Sequence, residues 1–171
     1  MRIKTPARFN FCGPVASIAI FAANPALALD VPFTAQIDNP DACEIVVLEG
    51  GTMVANAADT QLSSYASGAP ARALVTSYWF GYDLRAYHSQ VWNVSPIANN
   101  QDTSFQPFIS GTSTRIFGGA NLGSFSDVPD GQAVQMPFLS ETEVSVNLIA
   151  QHNSGSFPGG VYATNVTLIC D

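Results

Sequence analysis

No stretch of this chain carries the three-to-four-residue apolar period of an amphipathic helix. Short runs that alternate apolar and polar residues recur instead, each closed by a cluster of turn-forming residues. "VPFTAQI" places Val31, Phe33, Ala35 and Ile37 on one face. "CEIVVLEGG" is a short continuous apolar run stopped by Gly50-Gly51, and "ARALVTSYWFGYDLRAYH" reads as one long strand or a bent pair with Gly81 at the bulge or kink. Further runs are "SQVWNV", "TSFQPFI", "TSTRIFGG", "QAVQMPFL", "TEVSVNLIAQ" and "VYATNVTLIC". Between them lie turn clusters such as Ser67-Gly68-Ala69-Pro70, Pro129-Asp130-Gly131 and Asn153-Ser154-Gly155. About eight or nine short strands at this spacing predict an all-β, antiparallel sandwich. No internal repeat or linker divides them, so a single domain is expected.

The N-terminus does not belong to that pattern. Residues 1–28 carry Arg2, Lys4 and Arg8, then an apolar run broken by Gly13, Pro14, Asn24 and Pro25, then Ala26-Leu27-Ala28. This is the layout of a cleaved signal peptide, and its apolar part is too short to span a bilayer. Residues 29–171 are then the mature domain, with no membrane insertion after cleavage. The three lost cations leave three arginines against 13 acidic residues, a net charge of −10 with no lysine. Such a surface repels phosphate backbones, which excludes nucleic acid as a natural partner. A secreted, periplasmic or cell-surface location in a bacterium is expected.

Export also bears on the cysteines. Cys12 is lost with the leader, and Cys43 and Cys170 remain, an even number in an oxidising compartment. A disulfide between them is predicted, joining either two sheets or two strands of one sheet. In the last strand Tyr162, Thr164, Val166, Leu168 and Cys170 share a face, with Asn165 and Thr167 opposite. Two isolated cysteines without close spacing do not make a metal site, and no metal or other cofactor is expected.

Residues arranged for catalysis are scarce. His88 and His152 have no partner motif, and no nucleophile elbow, metalloprotease helix motif or phosphate loop is present. Glu141 and Glu143 read as the solvated face opposite Val144, Val146 and Leu148. Asp127 and Asp130 in "SDVPDGQ" read as turn residues rather than calcium ligands. A non-enzymatic protein is expected, with no catalytic residues. Asn93-Val94-Ser95 and Asn165-Val166-Thr167 match the glycosylation sequon.

The densest chemical feature is "SYWFGYDLRAYHSQVW". As a strand it puts Tyr78, Phe80, Tyr82 and Leu84 on a core face, and Trp79, Gly81, Asp83 and Arg85 on the other. Two roles stay open. The aromatics are ordinary sandwich packing, or Trp79, Tyr82, Asp83, Arg85 and Trp92 form a patch on which a sugar ring stacks beside hydrogen-bonding groups.

Two ends of the chain, taken together, resemble chaperone–usher pilins and the spore-coat-protein-U-like secreted bacterial domains. "VPFTAQIDNPDACEIVV" is similar to their first strand leading into Ala-Cys, and "FPGGVYATNVTLIC" to their closing strand. "GGTMVANAADTQLSS" looks like the Gly-Thr-x-x-Asn and Thr-x-Leu-Ser segments of such domains. The resemblance implies an immunoglobulin-like sandwich acting as a structural, fimbria-like subunit. It also implies passage past a periplasmic chaperone and assembly with like subunits by strand donation. Under that reading Val31, Phe33, Ala35 and Ile37 are the pocket-filling residues of a donor strand. Equally, they are the domain's own first strand. Pilins bridge two cysteines within their N-terminal half, and Cys170 departs from this in a way that implies a self-complete domain.

Overall fold

The computed structural model describes residues 31–38, 43–65, 67–79, 81–97 and 102–171, with Phe33 the one side chain described in the first of these segments. The expected leader, residues 1–28, lies outside the described residues. Among the described residues there are eleven strands and no helix: β1 (Val31–Asp38), β2 (Glu44–Glu49), β3 (Gly51–Ala55), β4 (Gln61–Ser63), β5 (Ala71–Ser77), β6 (Asp83–His88), β7 (Thr103–Arg115), β8 (Asn121–Pro129), β9 (Val134–Gln135), β10 (Ser140–His152) and β11 (Thr164–Cys170).

The strands form two packed layers. One runs β9-β6-β11-β1-β3, and the other runs β2-β5-β10-β7-β8, with β4 continuing along β10 beyond the end of β5. Every pairing is antiparallel except β1 with β11, which run parallel from Phe33↔Thr164 to Asp38↔Ile169. β3 belongs to both layers. Its start pairs with β1 and its end with β4, so one border of the sandwich is stitched shut.

Alternation supplies the core. On β10, Thr142, Val144, Val146, Leu148 and Ala150 are buried, while Glu141 and Glu143 stand exposed on the other face. On β11, Thr164, Val166, Leu168 and Cys170 point inward as their spacing requires, with Tyr162 buried just before them. Ala71, Ala73 and Val75 of β5 and Leu84 and Ala86 of β6 fill the space between. Burying each branched aliphatic side chain contributes about 1.5–3 kcal/mol relative to leaving it in water.

Cys43 and Cys170 are bonded, with Cα atoms 6.1 Å apart. Cys43 immediately precedes β2 in one layer and Cys170 closes β11 in the other, so the bridge is between sheets. The C-terminal residue is pinned as well. The Asp83 N–H donates to the Asp171 carbonyl at 2.8 Å, and the Asp171 N–H donates to the Asp83 carbonyl at 3.1 Å.

The strand count exceeds the eight or nine expected for local reasons. The Gly-Gly stop splits one apolar run into β2 and β3, which serve different pairings. "TSFQPFI" and "TSTR" join without a turn into the 13-residue β7. "SQVWNV" forms no strand and touches the sheet only through an isolated bridge from Val94 to Ala163.

Candidate functional site

The long aromatic run is a bent pair. β5 ends at Ser77 in one layer and β6 begins at Asp83 in the other. The chain crosses between them, where Gly81 takes φ +88° in open space, a left-handed conformation that glycine adopts without strain; Phe80, expected on the core face, lies outside the described residues. The residues in this crossing therefore sit on a loop at one end of the sandwich.

Strand register brings two other loops to the same end. Ser140, the first residue of β10, lies opposite both Ser77 and Arg115, so β5, β7 and β10 all stop at one level. Hydrogen bonds hold the loops that leave them. The Ser77 hydroxyl donates to the Trp79 carbonyl at 3.1 Å, and the Ser140 hydroxyl donates to the Pro137 carbonyl at 2.6 Å. The Met136 N–H donates to the Tyr82 carbonyl at 2.8 Å, and the Ile116 N–H to the Leu139 carbonyl at 3.0 Å. Two left-handed glycines, Gly118 and Gly119, then turn the β7–β8 hairpin, closed by an Arg115 N–H bond to the Ala120 carbonyl.

This frame carries the most open aromatic side chains described: Phe117 at 73 %, Trp79 at 66 % and Tyr78 at 48 % of full exposure. Arg115, also exposed, stands at the base of the hairpin. Phe117 was not singled out in the sequence, because nothing local ties "TRIFGG" to residue 79. The pairing of β5 and β7 on either side of β10 makes that link.

The other residues of the expected sugar patch do not stand open beside Trp79, and for Trp92 this corrects the expectation of an exposed ring. Trp92 is buried, its indole N–H donating to Thr103 Oγ1 at 3.1 Å. Its ring packs edge-on to Phe105 with centroids 4.7 Å apart and tilts against Tyr162 at 5.0 Å. Tyr82 is half-buried against the core. Arg85 is held by Asp171 and, at 3.3 Å, by Asp83, so both expected polar contacts serve to fix the C-terminus. Tyr78, expected in the core, is on the surface, because the chain leaves the strand before it. Only Trp79 of the five patch residues stands open at the loop end.

No protein-family model, curated protein or solved structure matches this chain. Function therefore has to be argued from the groups themselves.

The expected donor residues Val31, Phe33, Ala35 and Ile37 occupy alternate positions of β1, which lies between β11 and β3 of its own chain. The Phe33 ring is buried against Gly51, where an added Cβ would stand 2.1 Å from it.

Several titratable groups are occupied in structural contacts. His88 is buried, stacked on Phe105 with centroids 4.0 Å apart. Its Nδ1 accepts from the Gln90 N–H at 2.8 Å and its Nε2 lies 2.7 Å from Thr164 Oγ1. Burial pushes the imidazole down to about 4. Tyr65 donates to Asp127 Oδ1 at 2.7 Å, and its phenol is raised well above its ordinary value by burial and by that carboxylate. Burial raises Asp130, partly offset by a hydrogen bond from the His88 backbone, and lifts the Tyr162 phenol to about 12. Glu143 pairs with Arg72, which also reaches Glu49 at 3.6 Å. Among the described residues no group of three or more His, Cys, Asp or Glu is placed to hold a metal ion. An open, shallow depression of about 420 Å³ lies on the outer face among Ser110, Thr112, Phe125, Glu143 and Ser145.

Proposed function

We propose that this protein is an exported, non-enzymatic sandwich that recognises neutral glycans at a cell surface through its aromatic loop end. One observation carries the reading: Trp79 and Phe117, distant in sequence, emerge together with Tyr78 from loops hydrogen-bonded to one another. Large apolar rings held out on a rigid frame are hydrated at rest, and stacking on the C–H face of a pyranose removes that apolar surface from water. The acidic balance disfavours anionic ligands, so a neutral, polyhydroxylated one fits the surface. The engagement of His88 with Gln90 and Thr164, and of the carboxylates with arginines and tyrosine, supports a binding role over a catalytic one.

The test is a fluorescence titration with neutral oligosaccharides of glucose and of N-acetylglucosamine. The chain has two tryptophans and Trp92 is sealed in the core, so any ligand-dependent change reports Trp79. Saturable quenching or a blue shift supports the reading, and an unmoved spectrum with every sugar rejects it.

A second reading, a structural subunit joined to like subunits by strand exchange, rests on β1. It makes the one parallel pairing among the described strands, against the last strand, and it ends five residues before the cross-linked Cys43. In a single chain it fills its own groove. In a polymer the same strand would fill a neighbour's. Gel electrophoresis without boiling separates the two, since exchanged strands give a heat-labile ladder and a self-complete domain gives one band.

A further inference from the structure

The border of the second layer at β2 is built differently from the other borders. At the opposite side, β8 is broken by two register shifts against β7 and by left-handed backbone at Gly123 and Asp127. β9, which ends the first layer, is two residues long. Interruptions of this kind keep edges from pairing with other chains. β2 runs in unbroken register with β5 from Glu44↔Thr76 to Val47↔Ala73, shifting only between Val47 and Glu49. Among the described residues it pairs with no strand but β5. It also carries three consecutive open apolar side chains, Val46, Val47 and Leu48, at 43, 37 and 48 % of full exposure. The Cys43–Cys170 bond at its start fixes the strand to the opposite layer, so the edge is held before any partner arrives.

The charges at its ends say what such a partner carries. Glu44 is exposed at one end and Glu49 at the other, with Glu143 nearby across Arg72. A complementary strand has apolar side chains at its centre and cations at its flanks. A second copy of this chain is a poor source of them. Its described cations are three arginines, of which Arg72 and Arg85 already pair with carboxylates of their own chain.

We propose that β2 is a strand-addition edge for an extended segment of another protein, apolar at alternate positions and flanked by Lys or Arg. Main-chain hydrogen bonds to the open edge supply the pairing, Val46 and Leu48 supply an apolar surface, and Glu44 and Glu49 select the flanks. This site is independent of the loop end and stands whether or not sugars bind there.

The test uses the folded mature protein and a labelled ten-residue peptide of alternating valine and threonine with lysine at both ends, read by fluorescence anisotropy. Two controls accompany it: the same peptide with glutamate flanks, and one N-methylated at alternate backbone nitrogens. The expected result is saturable binding by the lysine peptide, weakened about tenfold or more by either change and by raising the salt. Hydrogen exchange should slow at the amides of residues 44–49. Val46→Lys, a surface change, should weaken the lysine peptide without unfolding the protein. Failure of every peptide to bind overturns the proposal, as does binding indifferent to flank charge and N-methylation. Sedimentation that shows a dimer abolished by Val46→Lys also overturns it, because the edge then serves the chain's own copy.

Discussion

His88 Nε2 lies 2.7 Å from Thr164 Oγ1, and Thr164 itself donates to the Val91 carbonyl at 3.0 Å. The hydroxyl proton is thus committed to Val91, so the imidazole donates through Nε2. Nδ1 is left as the acceptor for the Gln90 N–H at 2.8 Å. Both ring nitrogens are satisfied only in the neutral form, and β6 is tied to β11 and to the turn after it.

Acid should therefore loosen the fold through this residue. The folded-state value is about 4 against an ordinary 6.5, so between these limits the unfolded chain binds the extra proton and stability falls as pH falls. Above 6.5 and below 4 the His88 contribution is flat. The full effect approaches about 3 kcal/mol. Asp130, whose carboxyl is raised by burial, works in the opposite sense in the acid range. Urea midpoints at pH 7, 5.5 and 4 for the protein and for His88→Gln should differ in slope with pH, the variant losing less. Equal slopes would show that His88 is not the proton-linked group.

The bond between Cys43 and Cys170 encloses a loop of 126 residues, since the two are separated by 127 positions. Chain entropy assigns such a closure roughly 4–5 kcal/mol. Cys170→Ser should lower the free energy of unfolding by an amount of that order, and the non-reduced protein should weigh two mass units less than its dithiol form. Alkylation of both thiols without prior reduction would contradict the bridge.

Glycines 51 and 118 should respond differently to alanine. At Gly51 a Cβ would stand 2.1 Å from the Phe33 ring and 2.7 Å from the Ala71 backbone nitrogen, where β1, β3 and β5 meet. Gly51→Ala should cost at least about 1–3 kcal/mol, the range for overpacking a filled core. At Gly118 nothing lies within 4 Å, and only φ +90° opposes the change, a cost of about 1–2 kcal/mol. Thermal midpoints of the two variants should rank in that order.

Much of this arrangement is legible in the sequence, and the illegible parts have physical causes. The inward faces of β10 and β11 follow from alternation alone, because both strands are long and solvated on one side. The disulfide follows from the parity of cysteines behind an expected leader, though not its placement between sheets, which depends on which layer takes β2. β8 escapes the pattern because it is an edge with mostly exposed side chains and a glycine at φ 139°. The loop end escapes it for a stronger reason: the loops of Trp79 and Phe117 come to one end only through the register of Ser140 with Ser77 and Arg115. Periodicity reports which way a side chain points within one strand and says nothing of which strand ends lie level. Trp92 misleads for the same reason, since its segment is a loop folded back under Phe105 and Tyr162.

The two tryptophans should separate cleanly in solution. Acrylamide should quench one component of the emission strongly and leave the other nearly untouched, because Trp79 is open and Trp92 is sealed beside Thr103. Trp79→Phe should remove the accessible component alone. A single uniform quenching constant would show that Trp92 is not where the fold places it.

Binding of neutral sugars at the aromatic loop end would be read by calorimetric titration. Oligosaccharides of glucose and of N-acetylglucosamine would be titrated into the mature protein and into Trp79→Ala and Phe117→Ala, both surface changes. Saturable heat is expected for at least one sugar, reduced about tenfold or more in affinity by either substitution while the unfolding midpoint stays put. Absence of binding by every sugar, or binding that both substitutions leave unchanged, would contradict it.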